Sequence, residues 1–140
     1  MTCTFFGHSN APKEVIPTLK CVLVDLIENK NTDTFYVGNH GHFDYYTKLV
    51  LKELEEIYSI KYYVVLAYIP QKEEYADYSD TLYPDGVDIV PYRSRINYRN
   101  KWMLKKSDIV VTYVKRIIGS AAEYKILAEK QNKTVINLAE

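Results

Sequence analysis

The sequence lacks any apolar run that approaches the roughly 20 residues needed to cross a bilayer. It also lacks a basic stretch followed by an apolar one near its start, so we expect neither a membrane anchor nor secretion. Cysteine is scarce, since Cys3 and Cys21 are the two in the chain and form no C-x-x-C motif. Isolated cysteines are typical of a reducing compartment, which predicts a cytoplasmic protein with two buried thiols.

An excess of either charge is lacking as well, because 18 Lys and Arg residues balance 18 Asp and Glu residues. A neutral chain generates no long-range field that attracts a polyanion. We therefore do not expect nucleic acid as a partner, and a nonspecific DNA-binding function is disfavoured. Tyrosine is the one residue in excess, with 14 copies against four of Phe and one of Trp. Half-buried positions explain most of them, and sites that stack flat rings are the alternative.

Helical and extended patterns alternate along the 140 residues, which are enough for a single domain over residues 1–140. Alternation of this kind requires a parallel sheet, because each helix returns the chain to the same edge. The predicted fold class is α/β, a Rossmann-like three-layer sandwich with a mostly parallel sheet of about five strands. The predicted strands are Thr2 to Phe6, Thr34 to Val37, Tyr62 to Tyr68, Ile109 to Val114 and Thr134 to Leu138. The first predicted helix starts at Ala11-Pro12, and the other three run from Phe43 to Tyr58, from Arg95 to Lys106 and from Ser120 to Lys130.

Residues 71–94 have no clear periodicity and are predicted to form a long loop with one short strand at Val87 to Val90. A loop of this length is usually a functional lid, or else it contains an element that the pattern does not reveal. Tyr75, Tyr78 and Tyr83 lie within it. They are candidates for closing over a purine base, and packing on this domain or on a second subunit is the alternative.

The segment from Asn97 to Glu123 predicts a helix, a buried strand and a second helix that opens on Gly119 and Ser120. Free N–H groups and the positive end of the helix dipole meet at such a junction and favour an anion. An ordinary serine cap explains the same pattern without a ligand. Glu123 similarly fits either a catalytic carboxylate or a first-turn acid that the dipole favours.

Loops at the carboxyl ends of parallel strands share one rim, where ligands bind in open α/β sheets. Arg99 faces this rim and suits bidentate phosphate binding, although pairing with Asp108 or Glu123 would satisfy it equally. Asp44 suits a ribose diol or a helix cap. The predicted ligand-binding residues are Gly7, His8, Ser9, Gly38, Asn39, Asp44, Arg99, Asn100, Gly119 and Ser120.

Three histidines raise the question of a metal site. His40 and His42 are two residues apart, and His8 lies in a neighbouring loop. This spacing provides no third fixed ligand, so we predict no metal site and no cofactor.

The motifs F-F-G-H, F-Y-V-G-N-H-G-x-F-D and R-N-K-W-M-L-K-x-S-D resemble an uncharacterised group of bacterial and phage proteins. That group is placed in the SLOG superfamily of Rossmann-like nucleotide-binding domains. The superfamily also contains the lysine-decarboxylase-like, cytokinin-activating phosphoribohydrolases and the DNA-processing protein DprA. The resemblance covers nearly the whole chain and implies a nucleotide ligand, a defence-related role in phage or mobile elements, and a homodimer.

A more distant similarity links the chain to the phosphoribohydrolase motifs R-K-x-x-M and P-G-G-x-G-T-x-x-E. Arg99 and Met103 fit the first motif, and Gly119 to Glu123 fit the end of the second. Asn100 replaces the lysine, and residues 115–118 replace Pro-Gly-Gly with one extra residue. The resemblance implies catalytic roles for Arg99 and Glu123 at an N-glycosidic bond. The predicted function is therefore binding of a nucleotide or nucleotide-derived small molecule, with nucleotide N-glycosidase activity as the alternative.

Overall fold

A computed structural model describes residues 1–68 and 80–139 of the chain. Helices and strands alternate in this part as the sequence predicts. The strands are β1 (Thr2–Gly7), β2 (Thr34–Val37), β3 (Lys61–Val65), β4 (Thr81–Leu82), β5 (Ile109–Tyr113) and β6 (Thr134–Asn137), and the α-helices are α1 (Val15–Asn29), α2 (Gly41–Glu55), α3 (Arg95–Lys106) and α4 (Ser120–Lys130).

The strands form one parallel sheet in the order β4-β3-β2-β1-β5-β6. Strand β1 lies in the interior, where Thr4 pairs with Tyr36 of β2 on one side and with Val110 of β5 on the other. The chain therefore adds strands outward on one side of β1 and then crosses back to the opposite side. The reversal of strand order at β1 and β5 creates the crevice in which open parallel sheets bind ligands.

Helices cover both faces of the sheet because side chains of a strand alternate between its faces. Phe5 is 1% exposed and packs in a cluster with residues of α1 and α2. Its neighbour Phe6 packs in a second cluster with residues of α3 and α4. These two apolar clusters on opposite faces confirm the predicted α/β, Rossmann-like three-layer fold, with six strands in place of about five.

The additional strand is β4, and the predicted strand at Val87 to Val90 is wrong. Val87–Ile89 forms a 3₁₀ helix that follows Gly86, whose φ of 82° lies in the left-handed region. Strand β4 pairs only two residues with β3, which is too short to produce an alternating pattern in the sequence. Tyr75 and Tyr78 of the predicted loop lie outside the described residues.

Other differences concern the ends of elements. Helix α1 begins at Val15, three residues after Pro12, because the intervening residues form a turn in which the Val15 N–H donates to the Pro12 carbonyl at 3.1 Å. Helix α2 begins at Gly41 and ends at Glu55, and β3 ends at Val65. Each shift lies where helices and strands fray and local patterns are weakest.

The two cysteines differ in environment. Cys3 is buried in β1, and burial raises the pKa of its thiol. Cys21 is exposed on α1, so the expectation of two buried thiols is wrong for this residue. Its position between the buried Leu19 and Leu23 turns it to the outer face of the helix. Within residues 1–68 and 80–139, none of the helices is long and apolar enough to cross a bilayer.

Candidate functional site

A cavity of about 210 Å³ opens at the carboxyl ends of β1 and β5, where the strand order reverses. The loop after β1 and the start of α4 contribute to its wall, and so do α3 and residues at the start of α2. Eight of the predicted site residues line it, namely Gly7, His8, Ser9, Asp44, Arg99, Asn100, Gly119 and Ser120. The sequence therefore predicts most of the polar wall of this cavity.

Arg99 is the central charged group of the cavity and is only 2% exposed. Its Nε donates to Asn100 Oδ1 at 2.9 Å, and its Nη1 donates to the Val65 carbonyl at 3.1 Å and to Asn39 Oδ1 at 3.3 Å. All three acceptors are neutral. Burial lowers the pKa of Arg99, but a guanidinium stays protonated in proteins. The side chain thus places a positive charge in the cavity that neutral oxygens orient.

Asp44 is the carboxylate nearest to this charge. Its Oδ2 accepts a hydrogen bond from the His40 backbone N–H at 3.0 Å. Burial raises the pKa of Asp44, and the His40 bond and the charge of Arg99 oppose that rise. Among the described residues, no carboxylate oxygen lies within 4.0 Å of the Arg99 guanidinium. The arginine therefore has no close ion pair in this part of the chain.

Gly38 explains why Arg99 and Asp44 approach the end of β2 so closely. A Cβ atom at this position would lie 2.7 Å from Asp44 Oδ2 and 3.1 Å from Arg99 Cζ. Only glycine leaves room for both groups. Gly38 and Asn39 therefore act on the cavity through Arg99, since neither is part of its wall.

The amino end of α4 forms another part of the cavity wall. Gly119 is the cap residue, with φ of 116°, and no side chain caps the helix. Ser120 is the first helical residue, so the interpretation of an ordinary serine cap does not describe this end. The first backbone N–H groups of α4 have no intrahelical acceptor. They and the helix dipole favour an anion on this side of the cavity.

His8 holds the loop between β5 and α4 in place. It is buried, and its Nε2 accepts hydrogen bonds from the backbone N–H of Lys115 at 3.0 Å and of Arg116 at 3.3 Å. On the other side of the loop, Asn137 Oδ1 accepts the Val114 N–H at 2.9 Å, and Asn137 Nδ2 donates to the Val114 carbonyl at 3.0 Å. An imidazole that accepts at Nε2 must be neutral, with its proton on Nδ1.

This role of His8 predicts a pH dependence of stability. Burial, followed by the charge of Arg116, lowers the pKa of His8 below its usual 6.5. As the pH falls, His8 is therefore protonated first in the unfolded chain. Its contribution to the free energy of unfolding is complete above pH 6.5 and is lost as the pH falls through the pKa of His8 in the folded protein. The free energy of unfolding is measured with urea between pH 7.5 and 4.5 for the wild type and for His8→Gln. Below pH 6.5 it should fall more steeply in the wild type, by up to about 1.4 kcal/mol per pH unit. Parallel curves for the two proteins would contradict this role.

Several residues of the wall are not among the site residues that the sequence predicts. Tyr124 is buried, stacks on Phe6 with ring centroids 4.9 Å apart, and donates from its hydroxyl to the Asn97 carbonyl at 3.2 Å. Ile96, Met103 and Arg116 also line the cavity. Helical periodicity could have identified Tyr124, which lies three residues after Ala121 on the inner face of α4.

Glu123 lies on a different face of α4 from Tyr124. It is exposed and is not part of the cavity wall. Its predicted catalytic role stays a prediction, as do the individual roles of the other site residues. Among the described residues, no group of three or more His, Cys, Asp or Glu side chains is close enough to hold a metal ion.

Solved structures of DNA processing protein A (DprA) share this fold. The protein from Streptococcus pneumoniae matches with a TM-score of 0.72 at 14% identity, over 97% of this chain and 49% of its own. The protein from Helicobacter pylori, which has a unique single-stranded DNA binding mode, matches with a TM-score of 0.72 at 13% identity, over 98% of this chain and 64% of its own. This chain thus spans 49% of the length of the first protein and 64% of the length of the second. Its sequence matches no protein-family model and no curated protein.

The structural likeness confirms the Rossmann-like fold that the resemblance implies. The similarity to phosphoribohydrolases, the setting in phage or mobile elements and the homodimer stay predictions. The expectation that nucleic acid is not a partner is wrong, because a protein with this fold binds single-stranded DNA. Net charge averages over the whole surface, whereas binding depends on the local field. Arg99 and Arg116 both lie at this cavity in spite of the neutral total.

Proposed function

We propose that the protein binds a nucleotide or a nucleotide-derived small molecule, with a phosphate group in the cavity between β1 and β5. The observation that carries the proposal is the buried guanidinium of Arg99, which has only neutral hydrogen-bond acceptors among the described residues. Asp44 interacts with this charge but forms no close ion pair with it. An entering anion would supply a direct counter-charge to the buried guanidinium. Phosphate is the anion whose oxygens match the planar fork of an arginine.

The part of the wall formed by α4 supports the same ligand. The amino end of α4 provides backbone donors for phosphate oxygens, and Gly119 lets a ligand approach closely because nothing lies within 4 Å of its Cβ direction. Arg116 adds a second cationic residue to the wall. Both α3 and the segment from Arg116 to Ala121 therefore contribute donors or positive charge to the cavity wall.

The rest of the wall suits the less polar parts of a nucleotide. Ile96, Met103 and the ring of Tyr124 line the cavity next to Arg99. An apolar wall with a few convergent polar groups is typical of small-molecule sites. A sugar or base lying against these side chains would leave the phosphate at Arg99 and α4.

Hydrolysis of an N-glycosidic bond is the alternative activity. That reaction requires a carboxylate beside the sugar to stabilise its developing positive charge. Glu123, the predicted carboxylate, is exposed and outside the wall, whereas Asp44 lines the cavity. We prefer binding without turnover because Glu123, the carboxylate to which the sequence assigns catalysis, does not line the cavity.

The test is a panel of nucleoside monophosphates with their matching nucleosides and inorganic phosphate. Binding is measured by isothermal titration calorimetry, and free base is measured by chromatography in the same samples. We expect at least one monophosphate to bind at least about tenfold tighter than its nucleoside, which is about 1.4 kcal/mol, with no release of base. Equal affinity for nucleotide and nucleoside, or no binding across the panel, would overturn the proposal. Release of base that Glu123→Gln or Asp44→Asn abolishes would instead establish the enzyme.

A further inference from the structure

Two adjacent isoleucines project from the loop between β5 and α4. Ile117 is 90% exposed and Ile118 is 79% exposed. A third isoleucine, Ile126 on α4, is 47% exposed and lines the same surface groove as Ile117. At these exposures the two loop side chains contribute almost nothing to the apolar core. Exposed apolar surface that is rimmed by polar groups is typical of an interaction site.

The base of this loop is held in place through its backbone. His8 Nε2 accepts the N–H groups of Lys115 and Arg116. Asn137 accepts the N–H of Val114 and donates to its carbonyl. A loop that is already ordered loses little conformational freedom when it binds a partner. The protein therefore presents the two isoleucines from a fixed base.

Positive charge surrounds the exposed isoleucines. Lys115, Arg116 and Lys125 line the groove, which has a volume of about 560 Å³, and no carboxylate does so among the described residues. Lys125 forms an ion pair with Glu129 at 3.1 Å. Lys115 and Arg116 have no ion pair with any described residue. The surface is therefore locally cationic, although the chain as a whole has no net charge.

We propose that this surface docks the protein on an anionic lipid bilayer. Ile117 and Ile118 enter the boundary between headgroups and acyl chains, and Ile126 lies against the headgroups. The apolar face of a docked amphipathic element lies about 5–10 Å deep in such an interface. Lys115 and Arg116 then lie at the level of the lipid phosphates, where each cation strengthens the attraction to anionic lipid. The docking does not depend on the proposed nucleotide ligand, because none of the three isoleucines lines the cavity.

Two other occupants match this surface less completely. An acidic peptide in the groove would pair with the cations and cover Ile117 and Ile126. It would leave Ile118 in water, because Ile118 does not line the groove. A second copy of the chain, related by a twofold axis, would bring the same cations together. A lipid surface receives all three isoleucines and supplies the opposite charge.

Flotation with two kinds of vesicle tests the inference. One kind consists of phosphatidylcholine alone, and the other contains about 30% phosphatidylglycerol, which gives it a negative surface potential. The wild type should bind the anionic vesicles at least about tenfold tighter than the neutral ones, and Ile117→Ser/Ile118→Ser should lose at least about tenfold of that affinity. Ile89→Ser is the matched control and should bind as the wild type does, since Ile89 is 84% exposed but does not line the groove.

A tryptophan in place of one isoleucine reports the contact directly. The emission of Ile118→Trp should shift to the blue when anionic vesicles are added, because the indole ring leaves water for the membrane interface. Ile89→Trp should show no such shift. Trp102 is present in both proteins and contributes the same background to both.

The charge is tested with Lys115→Gln/Lys125→Gln. This variant should bind anionic vesicles more weakly and with a smaller dependence on salt, and its binding to neutral vesicles should match that of the wild type. Equal binding of the wild type to both kinds of vesicle, or no binding to either, would overturn the inference. So would an affinity for anionic vesicles that survives in Ile117→Ser/Ile118→Ser.

Two further results would reassign the surface and overturn docking on a bilayer. An oligomer that Ile117→Ser/Ile118→Ser dissociates, in a protein that does not bind vesicles, would assign the surface to a second copy. Binding of an acidic peptide without binding of vesicles would assign it to a protein partner. Each of these results leaves the proposed nucleotide site standing, because that site is measured with separate ligands.

Discussion

Replacing Arg99 by methionine is expected to lower the affinity for a nucleoside monophosphate about 100-fold and that for the matching nucleoside less than about threefold. The reason is that methionine keeps the apolar stem but removes the charge and its directed donors. Each hydrogen bond to a charged group contributes about 1.5–3 kcal/mol, and tenfold in affinity is about 1.4 kcal/mol. Isothermal titration calorimetry measures the affinity of each variant for the mononucleotide that binds best and for its matching nucleoside.

Arg93→Met is the matched control, because Arg93 is an exposed arginine in the 3₁₀ turn just before α3. It should leave both affinities unchanged. Arg99→Lys separates charge from geometry, since lysine keeps the charge but not the bidentate fork, and should fall between the wild type and Arg99→Met. A parallel loss for nucleotide and nucleoside would show that Arg99 shapes the cavity without contacting phosphate.

Replacing Gly7 by alanine is expected to destabilise the fold by about 3 kcal/mol, the upper end of the usual effect of overpacking. The new Cβ would lie 2.3 Å from Phe43 Cδ2 and 2.4 Å from Phe43 Cγ. Phe43 is 1% exposed at the start of α2, so its ring has no free space to move into. The midpoint and slope of urea unfolding measure the change.

The control for this prediction is a double-mutant cycle with Phe43→Ala. That variant alone costs about 3–5 kcal/mol, because it removes a buried ring. It also removes the atoms that the new methyl group would strike, so Gly7→Ala should cost little in its background. A similar cost of Gly7→Ala in both backgrounds would show that the strain arises in the backbone and not against the ring.

The general architecture could be predicted because each main element carries its own pattern. The buried run at Ile109 predicts β5, and Gly119 followed by Ser120 correctly places the start of α4. Strand β4 could not be predicted, since two residues show no period and are extended only because they pair with Val64 and Val65. Tertiary pairing, and not local preference, determines such an element.

Eight of the residues predicted for the site line the cavity, whereas the sequence names none of its apolar residues as site residues. Arg99 could be assigned to the rim because it lies on a helix predicted to face it, and Asp44 because it follows the loop after β2. Tyr124 looks like an ordinary core residue, and Met103 is indicated only as a motif match. The contribution of both to the wall depends on how two helices pack. The role of His8 as a double acceptor also depends on a contact between residues 107 positions apart, which no local pattern encodes.

The interior position of β1 has a consequence for how the chain folds during synthesis. Thr4 must pair with Val110, and Thr2 accepts a hydrogen bond from Asp108, 106 residues later. Contacts at such separations slow folding, because a long loop has to close before they form. Strands β1 to β4 are synthesised before α3, β5 and α4. The parts of the cavity wall that α3 and α4 form are therefore made last. The nascent protein therefore acquires its cavity last, and a stalled or truncated product would hold a partial sheet with nothing to bind.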